Sequence, residues 1–352
     1  MDPVLSVIVP FHRNRVQLEA VLTAIRRSVT RAEIIVISDG ATEDCRAAVA
    51  SVGARLLVSA EAKGPAAARN WGASAATGSY LAFVDSDVEV AHDALPGLCG
   101  ILDRESEVAG VFGAYDRSPR HQAFWSRYRN LAHTYVHEQG ASDAWTFWAG
   151  LGVLRAEAFR AVGGFDERFT SPSIEDIELG QRLSAAGYRL RLDPRWRGCH
   201  LKQWSLRSVV RTDIASRGVP WSLLLLRRMR SIPADLNLTW RLRASAILTF
   251  AALLQASFAC LASDPTTGWL ALVTWGGAAA LNARFYAWCH RRYGFVFAVG
   301  AVLAHSLHHL CNVVSAVVAL ALLRASTWGV VLPGTAHLLM APSGGPPGLR
   351  HP

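Results

Sequence analysis

The fold of this chain is decided by one stretch, Tyr80-Leu81-Ala82-Phe83-Val84-Asp85-Ser86-Asp87. Its five apolar residues predict a short buried strand, and two carboxylates follow that strand directly. Carboxylates in such a place need a cation beside them, because an uncompensated buried charge is costly. Paired carboxylate oxygens suit Mg²⁺ or Mn²⁺, ions that leave coordination positions open for phosphates. An isolated Asp-x-Asp can also be a solvated turn, so the rest of the chain decides between the two interpretations.

The segments around this stretch alternate between strand-like and helix-like patterns. We predict strands at 5–9, 33–37, 55–58 and 80–84, and helices around 18–25, 45–52 and 66–76. Such alternation implies an α/β fold with a parallel, doubly wound sheet. In such sheets ligands bind beyond the carboxyl ends of the strands. Asp39, Asp85 and Asp87 all fall at that edge, which indicates a nucleotide site.

The middle of the chain, from Arg104 to about Trp148, is less regular and rich in aromatic and basic residues. It is either a helical connector with a half-buried face or a wall of an acceptor site that faces a lipid headgroup. Nucleic-acid-binding proteins use the same residue types, but no pattern of such a module is present. We therefore expect no nucleic-acid partner.

A turn at Gly163–Phe169 precedes an amphipathic helix over 174–183, and a further strand is predicted at 188–192. Glu175 and Asp176 occupy the first turn of that helix. Acids stabilise a helix at this position through the macrodipole, so the pair alone does not require a catalytic role.

Composition separates a charged first part from an apolar last part. The 352 residues carry a net charge of +9, and no acid follows Asp264. The start of the chain lacks the pattern of a signal peptide, so we expect the first part to stay in the cytosol. Six scattered cysteines show no metal-binding or disulfide spacing and favour a reducing compartment.

The last third contains three apolar runs, at 244–263, 269–285 and 295–323. They predict two or three membrane spans, because the second run is short and contains Asn282 and can form a buried hairpin instead. Arginines before the first run and after the second place both flanks in the cytoplasm. We predict a first domain over 1–215, a basic interfacial segment over 216–243, membrane helices over 244–324 and a partly disordered tail over 325–352.

Three histidines at helical spacing lie inside the third run: His305, His308 and His309. A metal site is conceivable there, but no carboxylate accompanies them within the run. Hydrogen bonds between helices are the preferred interpretation.

Several motifs of this chain, in their order along the sequence, resemble those of a known family. The set comprises SVIVPFHRN at 6–14, Ser38-Asp39-Gly40, Gly64 with Ala68-Arg69-Asn70, Asp85-Ser86-Asp87, GGFDERF at 163–169 and Glu175-Asp176. Together these residues resemble the family 2 glycosyltransferases with the GT-A fold, over roughly residues 4–204.

The resemblance implies how a nucleotide-sugar donor is bound. Asp39 would hydrogen-bond the nucleobase, with the backbone near Pro10 beside it. Arg69 would approach the diphosphate, and Lys202 would add positive charge there. A UDP-sugar is favoured because that donor is frequent in the family.

The resemblance also implies a metal site and a base. Asp87, helped by Asp85, would hold Mg²⁺ or Mn²⁺, and His200 is a possible further ligand. In the pair of Glu175 and Asp176, which we take as the catalytic acids, Asp176 would be the general base. One base opposite the leaving group leads to a single displacement that inverts the anomeric centre.

The sequence thus predicts a membrane-anchored, metal-dependent, inverting glycosyltransferase with a lipid-linked or membrane-proximal acceptor. A processive polysaccharide synthase is the nearest alternative, but Gln203-Trp204 offers only a fragment of the Gln-x-x-Arg-Trp motif of such enzymes. A nucleotidyltransferase would have no use for Glu175 and Asp176. A non-catalytic membrane scaffold that binds nucleotide is the alternative from another class.

Overall fold

A computed structural model describes residues 4–227 and 239–327. They divide into two compact units, one of residues up to Gln122 with His137–Gln203, the other of Ala123–Val136 with the residues from Trp204 onward. Most of the predicted disordered tail and two of the basic residues ahead of the first apolar run, Arg228 and Arg230, lie outside the described residues.

The first unit is built around one mixed sheet. Its strands are β1 (Leu5–Phe11), β2 (Glu33–Asp39), β3 (Arg55–Ser59), β4 (Tyr80–Val84), β5 (Val88–Val90), β6 (Val108–Tyr115), β7 (Asp143–Ala144), β8 (Leu151–Arg155) and β9 (Arg189–His200). The order is β3-β2-β1-β4-β8-β6-β9-β5, with β7 beside β9. The helices are α1 (Arg15–Ser28), α2 (Arg46–Ser51), α3 (Pro65–Ala75), α4 (Ala94–Arg104), the last three residues of α5 (Phe124–Gln139), α6 (Ala156–Ala161) and α7 (Glu175–Ala185).

The half of the sheet formed by β3, β2, β1 and β4 is parallel, as the alternating pattern predicts. All five residues of β4 are buried, which explains why its sequence is an unbroken apolar run. β2 and β4 both pair with β1. Their carboxyl ends, at Asp39 and just before Asp85, therefore lie at one edge of the sheet, about 10 Å apart at ~4.8 Å per strand.

The other half of the sheet contains antiparallel pairs, as in the mostly parallel sheet that the sequence predicts, and the middle section of the chain is more regular than expected. β8 lies between β4 and β6 and runs antiparallel to both. The region between Arg104 and Trp148 contains β6, α5 and β7. β9 runs parallel to β6 and antiparallel to β5, and in the latter pairing His200 lies opposite Val88. This register brings the end of β9 beside the residue that follows Asp87.

The described part of the second unit is helical. It contains the first part of α5, then α8 (Leu206–Arg211), a π-helix (Thr212–Gly218), α9 (Val219–Arg227), α10 (Trp240–Ala262), α11 (Pro265–Leu281) and α12 (Ala283–Thr327). α12 is broken at Gly294, whose φ of 84° is left-handed. α9 lies within the segment 216–243 that is predicted to be interfacial, and it buries Leu223 against Ala319 and Leu322 of α12.

Two helices of the described residues are long and apolar enough to cross a membrane: Trp240–Ala262 and Ala283–Ser326. α11 has 17 residues. Asn282, which follows it, is buried and donates a hydrogen bond to Ser245 Oγ of α10 at 2.8 Å. Of the three histidines, His308 makes the predicted contact between helices, since its Nδ1 lies 2.7 Å from Asp213 Oδ2 of the π-helix.

Candidate active site

The predicted metal-binding residues lie together at the sheet edge. Asp85 follows β4, and its backbone N–H donates to the carbonyl of Gly150 at 3.3 Å. The carbonyl of Asp87 accepts a hydrogen bond from the N–H of Leu201 at 2.8 Å. Asp87 Oδ2 is 3.6 Å from His200 Nε2. The antiparallel pairing of β5 with β9 thus brings His200 to Asp87 although 113 residues separate them in the chain.

An aromatic stack that the motifs did not predict holds His200 in place. The imidazole is 6% exposed and stacks on Tyr115, with ring centroids 4.4 Å apart and planes 13° apart. Tyr115 in turn meets Trp148 edge-on at 4.7 Å. The aromatic richness of the middle section was visible in the sequence, but the pairing of these rings depends on β6 and β9 being neighbours.

Arg69 lies between the two groups of acids. It is 5% exposed, and its Nη2 donates to Asp85 Oδ1 at 2.6 Å. Its Nη1 donates to Glu175 Oε1 at 2.9 Å. Burial alone would lower the pKa of Arg69, but the charges of Asp85, Glu175 and Asp176 raise it well above its ordinary value. This guanidinium therefore stays charged and joins the metal-side acids to the Glu-Asp pair.

Glu175 and Asp176 have different surroundings. Glu175 is buried, and besides Arg69 it accepts the N–H of Ser173 at 2.8 Å. Asp176 is half-buried, with Oδ1 accepting the N–H of Ile177 at 2.8 Å and Oδ2 that of Ala149 at 3.1 Å. Of the two carboxylates, that of Asp176 is the more accessible to a substrate.

The predicted nucleobase residue Asp39 closes a backbone loop. It is buried, and its two carboxylate oxygens accept the N–H groups of Lys63 and Gly64 at 2.8 Å each. It also lines a cavity of about 320 Å³ beside α3, together with Lys63 and Trp71. Pro10 is opposite Ile37 in the β1–β2 register, one strand away from Asp39. The cavity lining does not include Asp85 or Asp87.

The pKa values of the two aspartates are shifted in opposite directions. Burial raises the pKa of Asp85, and the neighbouring charge of Asp87 adds to that rise although Arg69 opposes it. Burial would raise the pKa of Asp87 too, but the hydrogen bond and charge of His200 and the charge of Lys202 lower it overall. The described residues contain no cluster of three or more His, Cys, Asp or Glu side chains arranged to hold a metal. Phosphate oxygens of a ligand would therefore have to complete the coordination of Mg²⁺ or Mn²⁺, as is usual for such ions.

Comparison with known families shows what this chain is similar to. Residues 6–163 match the model of the family described as "Glycosyl transferase family 2". Over this stretch, which is less than half of the chain, the protein is similar to glycosyltransferase family 2. Residues 129–200 also match the model described as "N-terminal domain of galactosyltransferase".

Two curated relatives of this chain illustrate how far the similarity extends. The pre-mycofactocin glycosyltransferase of Mycobacterium tuberculosis is 31% identical over 200 residues, which are 54% of this chain and 41% of that protein. The validoxylamine A glucosyltransferase of Streptomyces hygroscopicus is 30% identical over 220 residues, 53% of this chain and 52% of that protein. The chain thus spans about half the length of the curated relatives it matches.

Among solved structures, the mannosyltransferase PcManGT from Pyrobaculum calidifontis, in complex with GDP-Man and Mn²⁺, matches with a TM-score of 0.54 and 17% identity. The match covers 90% of this chain and 88% of that one. It confirms the predicted α/β fold of the GT-A kind. At this identity it concerns the fold alone.

Proposed function

We propose that this protein is a family 2 glycosyltransferase that transfers a sugar from a nucleotide-sugar donor to a lipid-linked or membrane-proximal acceptor, with inversion and with the help of a divalent metal ion. One observation carries the proposal: buried Arg69 is bonded to both Asp85 and Glu175. The acids assigned to the metal and the acid pair assigned to the acceptor are therefore parts of one site.

The donor side of the proposed site comprises Asp85, Asp87, His200 and Lys202. A bound Mg²⁺ or Mn²⁺ would neutralise the charge that develops on the departing nucleoside diphosphate. Asp87 is the primary ligand in this proposal, because it lies 3.6 Å from His200 Nε2 whereas Asp85 is bonded to Arg69. Asp85 shares its carboxylate with Arg69 and supports the site from the buried side. Lys202 supplies positive charge toward the diphosphate, in line with its effect on Asp87.

Asp39 and Pro10 belong to the nucleobase end of the donor site in this proposal. The loop that Asp39 closes by accepting the N–H groups of Lys63 and Gly64 leads into α3, the helix that carries Arg69. The solved PcManGT holds GDP-Man and Mn²⁺. We retain a UDP-sugar as the favoured donor, and the GDP-sugar is included in the test below.

On the acceptor side, Asp176 accepts the proton of the attacking hydroxyl as the new bond forms. Its two oxygens accept hydrogen bonds from the N–H groups of Ala149 and Ile177. The orientation of the carboxylate is therefore fixed, and it need not change much for proton transfer. Glu175 acts through Arg69 as a positioning residue. A single base on the side opposite the leaving group gives inversion.

The second unit anchors the enzyme as a multi-pass membrane protein. Helices α10 and α12 have the length and composition of membrane spans. Arg241 and Arg243 lie at the start of α10, and Arg291 and Arg292 precede the break in α12. Because cytoplasmic flanks are rich in arginine, we place the catalytic residues, in domain 1–215, on the cytoplasmic face.

The test is a donor screen with the full chain in lipid nanodiscs. UDP-, GDP- and dTDP-sugars are supplied with and without Mn²⁺, and release of nucleoside diphosphate is measured before and after addition of lipid acceptors. We expect metal-dependent turnover of one donor class, lost in Asp87→Asn. A scaffold would bind nucleotide without turnover in any condition, and that result would end the proposal.

A further inference from the structure

A buried segment of the first unit, Trp148-Ala149-Gly150, has no regular secondary structure and leads into β8. Trp148 is 7% exposed and Ala149 is fully buried. Irregular segments usually lie at the surface of a protein, because a buried backbone carries polar groups that need partners. The contacts of this segment therefore call for an explanation.

The antiparallel direction of β8 brings the segment to the proposed site. β8 lies between β4 and β6 and runs opposite to both, so it begins at the edge of the sheet where those two strands end. Val84 of β4 pairs with Leu151, the first residue of β8, which places Gly150 beside Asp85. The residues that precede β8 therefore lie between the ends of β4 and β6.

The backbone of the segment bonds to acids on both sides of the proposed site. The carbonyl of Gly150 accepts the N–H of Asp85 at 3.3 Å. The N–H of Ala149 donates to Asp176 Oδ2 at 3.1 Å. Two consecutive residues thus connect a metal-side aspartate with the proposed base.

The ring of Trp148 reaches a third part of the site, the surroundings of His200. It meets Tyr115 edge-on with ring centroids 4.7 Å apart, and Tyr115 stacks on the imidazole of His200 at 4.4 Å. The Trp148 ring also meets His137 edge-on at 5.5 Å. His200 Nε2 in turn lies 3.6 Å from Asp87 Oδ2. Trp148 is therefore connected to the proposed metal ligands through one stacked ring.

Close packing restricts the segment on two sides. A Cβ at Gly150 would lie 2.5 Å from Cε2 of Trp148, so the ring can lie over this backbone only because residue 150 is glycine. A Cβ at Gly180 of α7 would lie 2.2 Å from the backbone nitrogen of Phe147. α7, whose first turn carries Asp176, is thus in direct contact with the residue before Trp148. A change at Trp148 is transmitted both to the ring stack and to the helix of the base.

We propose that Trp148-Ala149-Gly150 is a positioning segment: it holds Asp176 in a fixed place relative to Asp87 and His200, and Trp148 is the residue on which this depends. The inference rests on the proposed function for the roles of those three residues. It adds positioning residues that touch neither the donor nor the acceptor.

The positioning segment is a second connection within the proposed site. The ion pairs of Arg69 join Asp85 to Glu175, but rotation about a single connection would still displace Asp176 from the metal ligands. A second connection at another place removes that rotation. The effect on catalysis is large, because a misplacement of about 1 Å can lower a rate by about 100-fold.

Trp148→Leu, in the full chain in lipid nanodiscs, tests the proposal because it removes the ring contacts and keeps an apolar side chain. Mn²⁺ binding is measured from the electron paramagnetic resonance signal of free Mn²⁺, with UDP and with GDP, and kcat for transfer is measured at saturating Mn²⁺. We expect Mn²⁺ binding to weaken about tenfold, as for loss of a residue that supports a metal ligand. We expect kcat to fall about 100-fold. Trp148→Phe, which keeps an aromatic edge toward Tyr115, should recover most of both losses.

Variants on either side of the segment should each change one quantity. Tyr115→Leu removes the ring between Trp148 and His200, so it should weaken Mn²⁺ binding and leave kcat at saturating Mn²⁺ largely unchanged. Asp176→Asn should lower kcat and leave Mn²⁺ binding unchanged. Only Trp148→Leu should change both quantities.

Trp196→Leu is the control for loss of a large ring from the same unit. Trp196 is partly buried in β9 and packs on α4, where a Cβ at Gly97 would lie 2.4 Å from Cη2 of the Trp196 ring. We expect a lower thermal midpoint, as in Trp148→Leu, with unchanged Mn²⁺ binding and unchanged kcat. The same pattern in Trp148→Leu, or a change in only one of the two quantities there, would overturn the inference.

A further readout needs neither metal nor turnover. In protein labelled with 5-fluorotryptophan, the fluorine resonance of Trp148 is assigned by its disappearance in Trp148→Phe. It should shift in both Asp176→Asn and His200→Gln and stay in place in Glu157→Gln. A resonance that ignores either Asp176 or His200 would also overturn the inference. Without donor turnover in the wild type, shifts in both variants would still support the positioning segment, and only the proposed function would fail.

Discussion

Arg69 and Glu175 are 106 residues apart in the chain and form an ion pair of 2.9 Å between Nη1 and Oε1, with each side chain 6% exposed. The same guanidinium bonds Asp85 at 2.6 Å. One buried cation therefore fixes the end of β4 against the start of α7. The stability of the first unit and the geometry of the proposed site depend on the same side chain.

Arg69→Met should strongly destabilise the protein. The substitution leaves Glu175 buried without its cation, and removal of one partner of a buried ion pair costs about 3–5 kcal/mol. For a unit of this size that corresponds to a fall of roughly 6–20 °C in the thermal midpoint. Thermal unfolding of the full chain in detergent, followed by tryptophan fluorescence, measures the change.

Arg189→Met is the matched control. Arg189 pairs with Glu107 and Asp143 at 3.0 Å each, but these side chains are 49%, 53% and 72% exposed. Exposed ion pairs contribute little to stability, so the midpoint should hardly move. Equal effects of the two substitutions would contradict the special role of Arg69.

The sequence predicted the parallel half of the sheet well because each of those strands carries its own signal. β1, β2 and β4 are nearly continuous apolar runs, and each is followed by a residue that stops the strand. The positions of Asp39 and Asp85 at one sheet edge follow from the order of these elements alone.

β6 was missed for a physical reason. Its sequence, VAGVFGAY, contains Gly110 and Gly113, which weaken any strand prediction. The structure needs both glycines: a Cβ at Gly110 would lie 2.2 Å from Leu154 Cδ2, and one at Gly113 would lie 2.2 Å from the carbonyl oxygen of Trp196. The close packing that removes side chains here comes from residues distant in the chain, so no local pattern reports it.

The role of Arg69 was predicted in part from the sequence. The motif located it in the site, and the resemblance assigned it to the diphosphate. Its bonds to Asp85 and Glu175 depend on how β4 and α7 approach α3, which the linear order of motifs does not specify. The assignment of Arg69 to the diphosphate remains a prediction.

Asp87→Asn should abolish the metal-dependent part of donor turnover. The amide keeps the size of the side chain but loses the charge that attracts a divalent ion. Titration of Mn²⁺ against donor hydrolysis, after treatment with a chelator, measures the effect. Asp93→Asn, at an exposed position before α4, should follow the wild-type curve. A wild-type Mn²⁺ response in Asp87→Asn would exclude Asp87 as a ligand.

Asp176→Asn should lower kcat for transfer to a hydroxyl acceptor by ~10²–10⁴-fold, the usual contribution of a general base. Asparagine can still accept the hydrogen bond from Ala149 but loses the one from Ile177, so the fold should be kept with at most a small loss of stability and the KM for the donor should be unchanged. Steady-state kinetics with separate variation of donor and acceptor separates the two constants. Glu157→Gln, an exposed acid in the first turn of α6, should behave as wild type. A loss confined to KM would point to binding and away from proton transfer.

Asp213 should make the stability of the second unit depend on pH. Burial alone would raise its pKa, but the charge of Arg129 and the hydrogen bond and charge of His308 lower it to about 2. A folded-state pKa below the ordinary value of 3.8 stabilises the fold above about pH 4, and the stabilisation disappears as pH falls toward 2.

Asp213→Asn should thus cost about 2 kcal/mol at pH 7. The difference from wild type, measured as unfolding midpoints from pH 7 to pH 2.5, should shrink at the acid end. A difference independent of pH would contradict this electrostatic origin.

Gly164→Ala should disturb the turn that leads to the acid pair, and Gly163→Ala provides its internal control. Both glycines have positive φ, 80° at Gly163 and 72° at Gly164, so alanine costs roughly 1–2 kcal/mol at either position. Only at Gly164 would the new Cβ meet an atom, Asn70 Oδ1 at 2.6 Å, whereas nothing lies within 4 Å at Gly163.

That contact matters because Asn70 Oδ1 accepts the N–H of Phe165 at 2.8 Å and its Nδ2 donates to the carbonyl of the same residue at 2.8 Å. Gly164→Ala should therefore lower the thermal midpoint further than Gly163→Ala and also reduce kcat, since the turn precedes Glu175 and Asp176. Paired measurements of thermal midpoint and donor turnover test both effects. If the two alanine variants lost stability and activity equally, the contact with Asn70 would have no part in positioning the acid pair.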